Sequence, residues 1–203
     1  DSPFENAIYL EPNVAKLSIN HGLGVYIGID LGMRDATAIV ISQLENGKIN
    51  IIHSFETTNT SLEDVCAILT KYLNDNNLHI TMMYVPHDTN QRDYITGKSR
   101  FNYLLERGFP VQLVTRSGLM DSIEIVRKMW HNIIFNKDTI AIERVKAYIT
   151  DVKTQKPKHD DASHMADALR YLILGLDNVI NTHGTMGNTY ERMYRTEGFN
   201  RQI

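Results

Sequence analysis

Val25-Tyr26-Ile27-Gly28-Ile29-Asp30-Leu31-Gly32 is a short apolar run, rich in β-branched residues, that ends on a carboxylate. Such a run reads as a strand, and an acid at its end stands at the edge of a sheet. A second apolar run, Ile80-Thr81-Met82-Met83-Tyr84-Val85, leads through Pro86-His87 into Asp88. A third acid, Asp167, lies in the helical segment that opens His159-Asp160-Asp161-Ala162-Ser163-His164. Alone, each acid reads equally as a turn or cap residue. Together, carboxylates delivered from two strand ends and one helix form the hard-oxygen set needed to hold divalent cations over a phosphodiester.

Working outward, Ala36 to Leu44 and Lys48 to Phe55 are further strands separated by Glu45-Asn46-Gly47. Asn-Gly between apolar runs is a tight hairpin turn, because both residues tolerate positive φ. Thr60 or Ser61 caps a helix to about Asn76, with Leu62, Val65, Cys66, Leu69 and Leu73 on one face. A helix from Ser99 to Arg107, a strand from Val111 to Val114, and helices starting at Ser117 or Asp121, at Asp138 or Thr139, and at Asp160 complete the order. This predicts an α/β fold of the ribonuclease H-like plan: a mixed five-stranded sheet, three antiparallel strands extended by parallel strands, flanked by helices. Right-handed crossovers place the strand ending at Asp88 beside the strand ending at Asp30.

The expected organisation is an N-terminal linker or extension over 1–24, one α/β domain over 25–177 and a C-terminal tail over 178–203. In the tail Arg192, Arg195 and Arg201 alternate with Glu191 and Glu197, as either a docking or a solvated segment. The chain starts on aspartate without a signal-peptide pattern, and so reads as a piece of something longer. No apolar stretch approaches the ~20 residues needed to span a bilayer. The single cysteine, Cys66, excludes an internal disulfide and fits a reducing compartment.

A net charge of −3 excludes a surface that is basic throughout. A local groove stays open, since Arg144, Lys146, Lys153, Lys156 and Lys158 face only Asp151 between positions 144 and 158. Lys153, Lys156 and Lys158 are candidate DNA contacts, with a solvated face as the alternative. Arg92, next to Gln91 after the Asp88 turn, is a candidate phosphate contact. Along the last helix Met165, Ala168, Leu169, Leu172 and Leu176 share a core arc, and Asp160, His164 and Asp167 share the opposite one. That polar row is either a stripe facing metal or a solvated face, and Asp161 reads as the N-terminal cap or dipole partner.

Gly28-Ile29-Asp30-Leu31-Gly32, the Asp88 turn followed by Thr96-Gly97-Lys98-Ser99, and the run from His159 to Tyr171 occur in an order that carries a resemblance. Over roughly Val25 to Leu176 the chain resembles the C-terminal nuclease domain of the terminase large subunit, the DNA-packaging enzyme of tailed bacteriophages and related viruses. The resemblance implies a ribonuclease H-like endonuclease with Asp30, Asp88 and Asp167 as catalytic acids and metal ligands, and His164 as an accessory ligand. It implies two divalent ions, Mg²⁺ or Mn²⁺, one to activate water and one to stabilise the departing 3′ oxygen. Nitrogen ligation by His164 suits Mn²⁺ better than Mg²⁺. The implied substrate is concatemeric double-stranded DNA, cut at the start and end of packaging in the cytoplasm of a host bacterium. The implied partners are an N-terminal ATPase domain of the same full-length protein, the portal protein and the small terminase subunit, with no membrane.

Gly97-Lys98-Ser99 is not a nucleotide loop, since Arg92 stands where a glycine is needed five residues earlier. No ATP hydrolysis is expected from these residues. Three other functions compete. A sugar-kinase or actin-like ATPase needs two such units and the chain has room for one. A catalytically inactive module that docks on DNA or portal would leave the acids vestigial. Another ribonuclease H-like nuclease, a junction resolvase or transposase core, fits the acids less specifically than the segment from His159 to Tyr171 fits terminase.

Overall fold

Asn46 and Gly47 adopt φ of 51° and 73°, closing the expected hairpin between the two longest strands. The computed structural model describes residues 6–32, 36–92 and 97–182. Thr96 and the tail residues Glu191, Arg192, Arg195, Glu197 and Arg201 lie outside them. The described chain runs β1 (Asn13–Ala15), β2 (Val25–Asp30), β3 (Thr37–Glu45), β4 (Lys48–Thr57), α1 (Leu62–Asp75), β5 (Ile80–Val85), α2 (Arg100–Glu106), β6 (Val111–Leu113), α3 (Leu119–Met129), β7 (Ile133–Asn136), α4 (Ala141–Ala147) and α5 (Asp161–Thr182).

The sheet order is β1-β7-β4-β3-β2-β5-β6. β2, β3 and β4 are antiparallel neighbours. The crossover through α1 lays β5 parallel to β2, so the strand ends leading to Asp30 and Asp88 are adjacent.

Seven strands stand where five were expected. The two extra ones, β7 and β1, extend the sheet beyond β4 as parallel neighbours. β7 is only Ile-Ile-Phe-Asn between helices, too short for periodicity to separate from a helix end, and β1 is three exposed residues with no apolar pattern. Pairing, not local sequence, makes them strands. The stretch before Val25 also buries Ile8 and Tyr9. Tyr9 stacks on Trp130 at 4.9 Å, and Arg127 Nε donates to the Ile8 carbonyl at 2.8 Å.

Both faces of the sheet are covered. α1 and α2 pack on one face over Val25, Ile27, Ile29, Ile39 and Ile41. α3, α4 and α5 pack on the other over Tyr26, Ala38, Val40 and Tyr84. Strand alternation decides which face receives Asp30: it follows Tyr26 and Gly28 at a period of two, and so lies on the side of α5.

Helix α5 touches β2, β3, β5, α3 and α4, and most of its first four turns are buried. Met165, Leu169, Leu172 and Leu176 are fully buried, each contributing roughly 1.5–3 kcal/mol. The helix approaches β2 at Gly28, where an added Cβ would fall 2.1 Å from the Ala168 carbonyl oxygen. No side chain but hydrogen fits there. The close approach brings the turn before Ala168, with His164 and Asp167, against the end of β2.

Candidate functional site

The site is assembled at the ends of β2 and β5 beneath the start of α5. Asp30 Oδ2 accepts a hydrogen bond from His164 Nδ1 at 3.0 Å, joining residues 134 positions apart. Both side chains are largely buried. With the proton on Nδ1, the lone pair lies on Nε2, which is the tautomer a ligating histidine adopts when a carboxylate orients it.

Asp167, one turn further along α5, is four-fifths buried and accepts from Arg170 Nη2 at 2.7 Å. Arg170 also donates through Nη1 to Ser122 Oγ of α3 at 3.1 Å, and its Cζ lies 4.8 Å from the Tyr171 ring centre. Burial raises the Asp167 carboxyl above the ordinary aspartate value; Arg170 opposes this, and the neighbouring negative charge of Asp30 adds to it. Burial likewise raises the Tyr171 phenol, helped by the negative charge of Asp167, Asp30 and Asp88, with Arg170 opposing. All three candidate acids therefore share one electrostatic neighbourhood with Tyr171.

Asp88 lies in a 3-10 turn, His87–Asn90, directly after β5. It is the outermost of the three, its side chain 58% exposed, with Oδ2 3.7 Å from Arg100 Nη2. Arg100 Nη1 donates to the Leu31 carbonyl at 2.6 Å, so one guanidinium spans the end of β2 and the turn after β5. Neither Arg100 nor Arg170 was singled out from sequence. Arg170 had a readable signal, since it stands three residues after Asp167 on the same helix. Arg100 had none, because its partners are far away in the chain.

Asp160 caps α5: its Oδ1 accepts from Ala162 N at 3.1 Å, and the helix begins at Asp161. Asp160, expected in the polar row with His164 and Asp167, is thus the cap, and of the two readings of Asp161, cap or dipole partner, the second is the one the helix start supports. Asp161 occupies the first turn, where its charge favours the helix N-terminus. The row is also not a solvated face, since His164 and Asp167 are turned into the protein.

Lys153, Lys156 and Lys158 are exposed on a compact loop immediately before α5. It is closed by Asp151 N to the Lys156 carbonyl and Lys158 N to the Ile149 carbonyl, at 2.8 and 2.9 Å. Arg144 and Lys146 do not join them as free cations: Arg144 binds Glu56 at 2.7 Å and Lys146 binds Glu11. Arg92 is exposed, and its backbone bridges to Ser99. A groove of about 430 Å³, lined by Glu56, Arg144, His159, Asp160, Asp161 and His164, opens beside the acids.

Among the described residues no three histidine, cysteine or carboxylate side chains converge closely enough to grip a metal ion. The donor chemistry nonetheless fits a hard divalent cation. The negative charge of Asp30 raises the cost of ionising Asp167, which a nearby cation would relieve, and Asp88 is the most exposed acid of the three. No helix among the described residues is long and apolar enough to cross a membrane.

The fold has solved counterparts. The P22 large terminase nuclease domain superposes with a TM-score of 0.69 at 14% identity, covering 87% of this chain and 95% of that one. A large terminase from a thermophilic bacteriophage also gives 0.69, at 17% identity, covering 84% of this chain. This chain spans 45% of that longer protein, under half its length. The nuclease domain of g2p, the large terminase of bacteriophage SPP1, solved with bound Mn, gives 0.57 at 17% identity, covering 81% and 96%. At these identities the likeness is one of fold, which is ribonuclease H-like. No curated protein matches the chain. The family model described as the terminase RNaseH-like domain matches residues 27–176, from the strand that carries Asp30 to the helix that carries Asp167. The chain belongs to the terminase RNaseH-like domain family.

Proposed function

We propose that this chain is the metal-dependent endonuclease domain of a viral large terminase subunit, cutting concatemeric double-stranded DNA at the start and end of genome packaging. The observation that carries the reading is the meeting of Asp30, His164 and Asp167 at the end of β2, with Asp88 beside them, inside a fold shared with terminase nuclease domains. Asp30, Asp88 and Asp167 would hold two Mg²⁺ or Mn²⁺ ions, with His164 as an accessory ligand. The Mn found in the SPP1 relative supports that class of ion. Bound ions would supply an activated water and a counter-charge for the departing 3′ oxygen.

The chain's own residues supply the frame. β2 and β5 present Asp30 and Asp88 from neighbouring strand ends, and α5 presents Asp167 from above. Arg170 favours the ionised form of Asp167 against the pull of burial. His164 fixes one oxygen of Asp30. Lys153, Lys156 and Lys158, together with Arg92, would contact phosphates without reading bases, so cutting would show little sequence preference. The ATPase motor, portal protein and small terminase subunit are partners proposed from the resemblance, and the host cytoplasm is the proposed compartment.

The test is incubation of the 203-residue chain with supercoiled plasmid in Mn²⁺, in Mg²⁺ and in excess EDTA. Cleavage with either ion and none in EDTA is expected. Asp30→Asn should keep the parental circular dichroism and lose cleavage. Cutting at an unchanged rate in EDTA, or by Asp30→Asn, overturns the proposal.

A further inference from the structure

Each acid of the proposed triad has a basic neighbour, and the third pair differs from the other two. Asp30–His164 and Asp167–Arg170 are short, at 3.0 and 2.7 Å, and largely buried. Asp88–Arg100 is long, at 3.7 Å, with a carboxylate that is 58% exposed and a guanidinium that is 25% exposed. The Arg100 head is held in place by something else: Nη1 donates to the carbonyl of Leu31, the residue after Asp30, at 2.6 Å.

Local structure does not call for a cation here. Arg100 is the first residue of α2, where positive charge opposes the helix dipole. Its two contacts belong to the two strand ends that carry Asp30 and Asp88. The guanidinium therefore brings positive charge to the two strand ends from which the proposed ligands Asp30 and Asp88 come. Among the described residues the donors do not converge in threes, and Asp88, the outermost, is the one whose carboxylate faces Arg100.

We infer that Arg100 is a positioning residue that holds Asp88 in the ion-free site and yields it to an incoming divalent cation. The inference rests on the reading of the acids as metal ligands. Because the pair is long and partly solvated, it is weak enough to exchange, whereas the buried Asp167–Arg170 pair is not. The Leu31 bond keeps the guanidinium at the strand end after Asp88 leaves it. Arg100 and the ion are thus competitors for one carboxylate.

Competition is distinguishable from simple support of the fold, because removing a support weakens metal binding and removing a competitor strengthens it. The experiment is calorimetric titration of the full 203-residue chain with Mn²⁺ in the absence of DNA, for the parent, Arg100→Gln and Arg100→Lys, each checked by circular dichroism. Arg100→Gln should bind Mn²⁺ about two- to fivefold more tightly, the range set by a partly exposed ion pair. Arg100→Lys, which keeps the charge, should stay within about twofold of the parent on the same scale. Unchanged or weaker binding by Arg100→Gln overturns the inference, as does equal tightening by both variants. If the parent itself takes up no Mn²⁺, the metal reading of the site falls and this inference falls with it.

Discussion

Gly28 of β2 lies so close beneath α5 that an added Cβ would stand 2.1 Å from the Ala168 carbonyl oxygen and 2.7 Å from Leu172 Cβ. One of those atoms belongs to helix backbone, which cannot rotate aside. Gly28→Ala must therefore lift α5 from the strand, and with it His164 and Asp167 from Asp30. Overpacking of this kind costs about 1–3 kcal/mol. The variant should unfold at lower urea and lose most cleavage even under conditions where it is fully folded. Parental stability together with parental cleavage would show that this contact does not set the site.

The Asp167–Arg170 pair makes a prediction about pH. Burial and Asp30 raise the Asp167 carboxyl above the ordinary aspartate value, with Arg170 limiting the rise. The folded chain then keeps this proton to a higher pH than the unfolded chain does. Its contribution to stability should fall as pH rises from the ordinary aspartate value through the raised one, because the unfolded state binds fewer protons there. Arg170→Met should carry that decline to higher pH and cost about 3 kcal/mol, the low end for breaking a buried pair. Urea unfolding at a series of pH values checks both. Added Mn²⁺ should shrink the decline in the parent, since the ion binds the ionised form. A decline unaltered by Arg170→Met would remove Arg170 from the account.

How much could be read in advance differed by residue. Asp30 and its face were legible, because a period of two and a strand ending in an acid need only local sequence. The neighbouring strand end at Asp88 was legible through the handedness of the crossover. His164 and Asp167 were legible as a pair, but the helical wheel assigned them to the arc opposite the core. It could not register that α5 is covered by α3, α4 and three strands at once. β1 and β7 were hidden for a related reason, since their stability comes from pairing at the far edge of β4. Arg100 was hidden most deeply. Its role depends on a carbonyl 69 positions away, and no periodicity encodes that.

The lysine loop can be tested by salt alone. If Lys153, Lys156 and Lys158 each neutralise one phosphate, replacing all three by alanine should reduce the slope of log K against log salt by about 0.9 per contact. Affinity should fall for every sequence alike. Filter binding of a duplex at several salt concentrations, with EDTA present to prevent cutting, measures it. An unchanged slope would place the DNA elsewhere, and the exposed Arg92 would be the next residue to replace.

The last prediction ranks three residues of one helix. Asp160 is the N-cap of α5, bonded to Ala162 N, so its task is local. Asparagine caps as well as aspartate, and Asp160→Asn should leave both stability and cleavage near parental, whereas Asp160→Ala should cost about 1 kcal/mol of stability with cleavage per folded molecule unchanged. His164 reaches the site through Asp30, to which it donates at 3.0 Å. His164→Ala should therefore lower cleavage partly, because the histidine orients Asp30, and alter the relative rates in Mn²⁺ and Mg²⁺, because imidazole nitrogen suits Mn²⁺ better than Mg²⁺. Asp167 contributes charge itself, and Asp167→Asn should abolish cleavage as Asp30→Asn does. Plasmid cleavage in each metal, alongside thermal unfolding, separates the three. The ranking fails if Asp160→Asn abolishes cleavage in a folded chain while Asp167→Asn preserves it, since the ligand would then come from the helix cap and the Asp167–Arg170 pair would be purely a packing element.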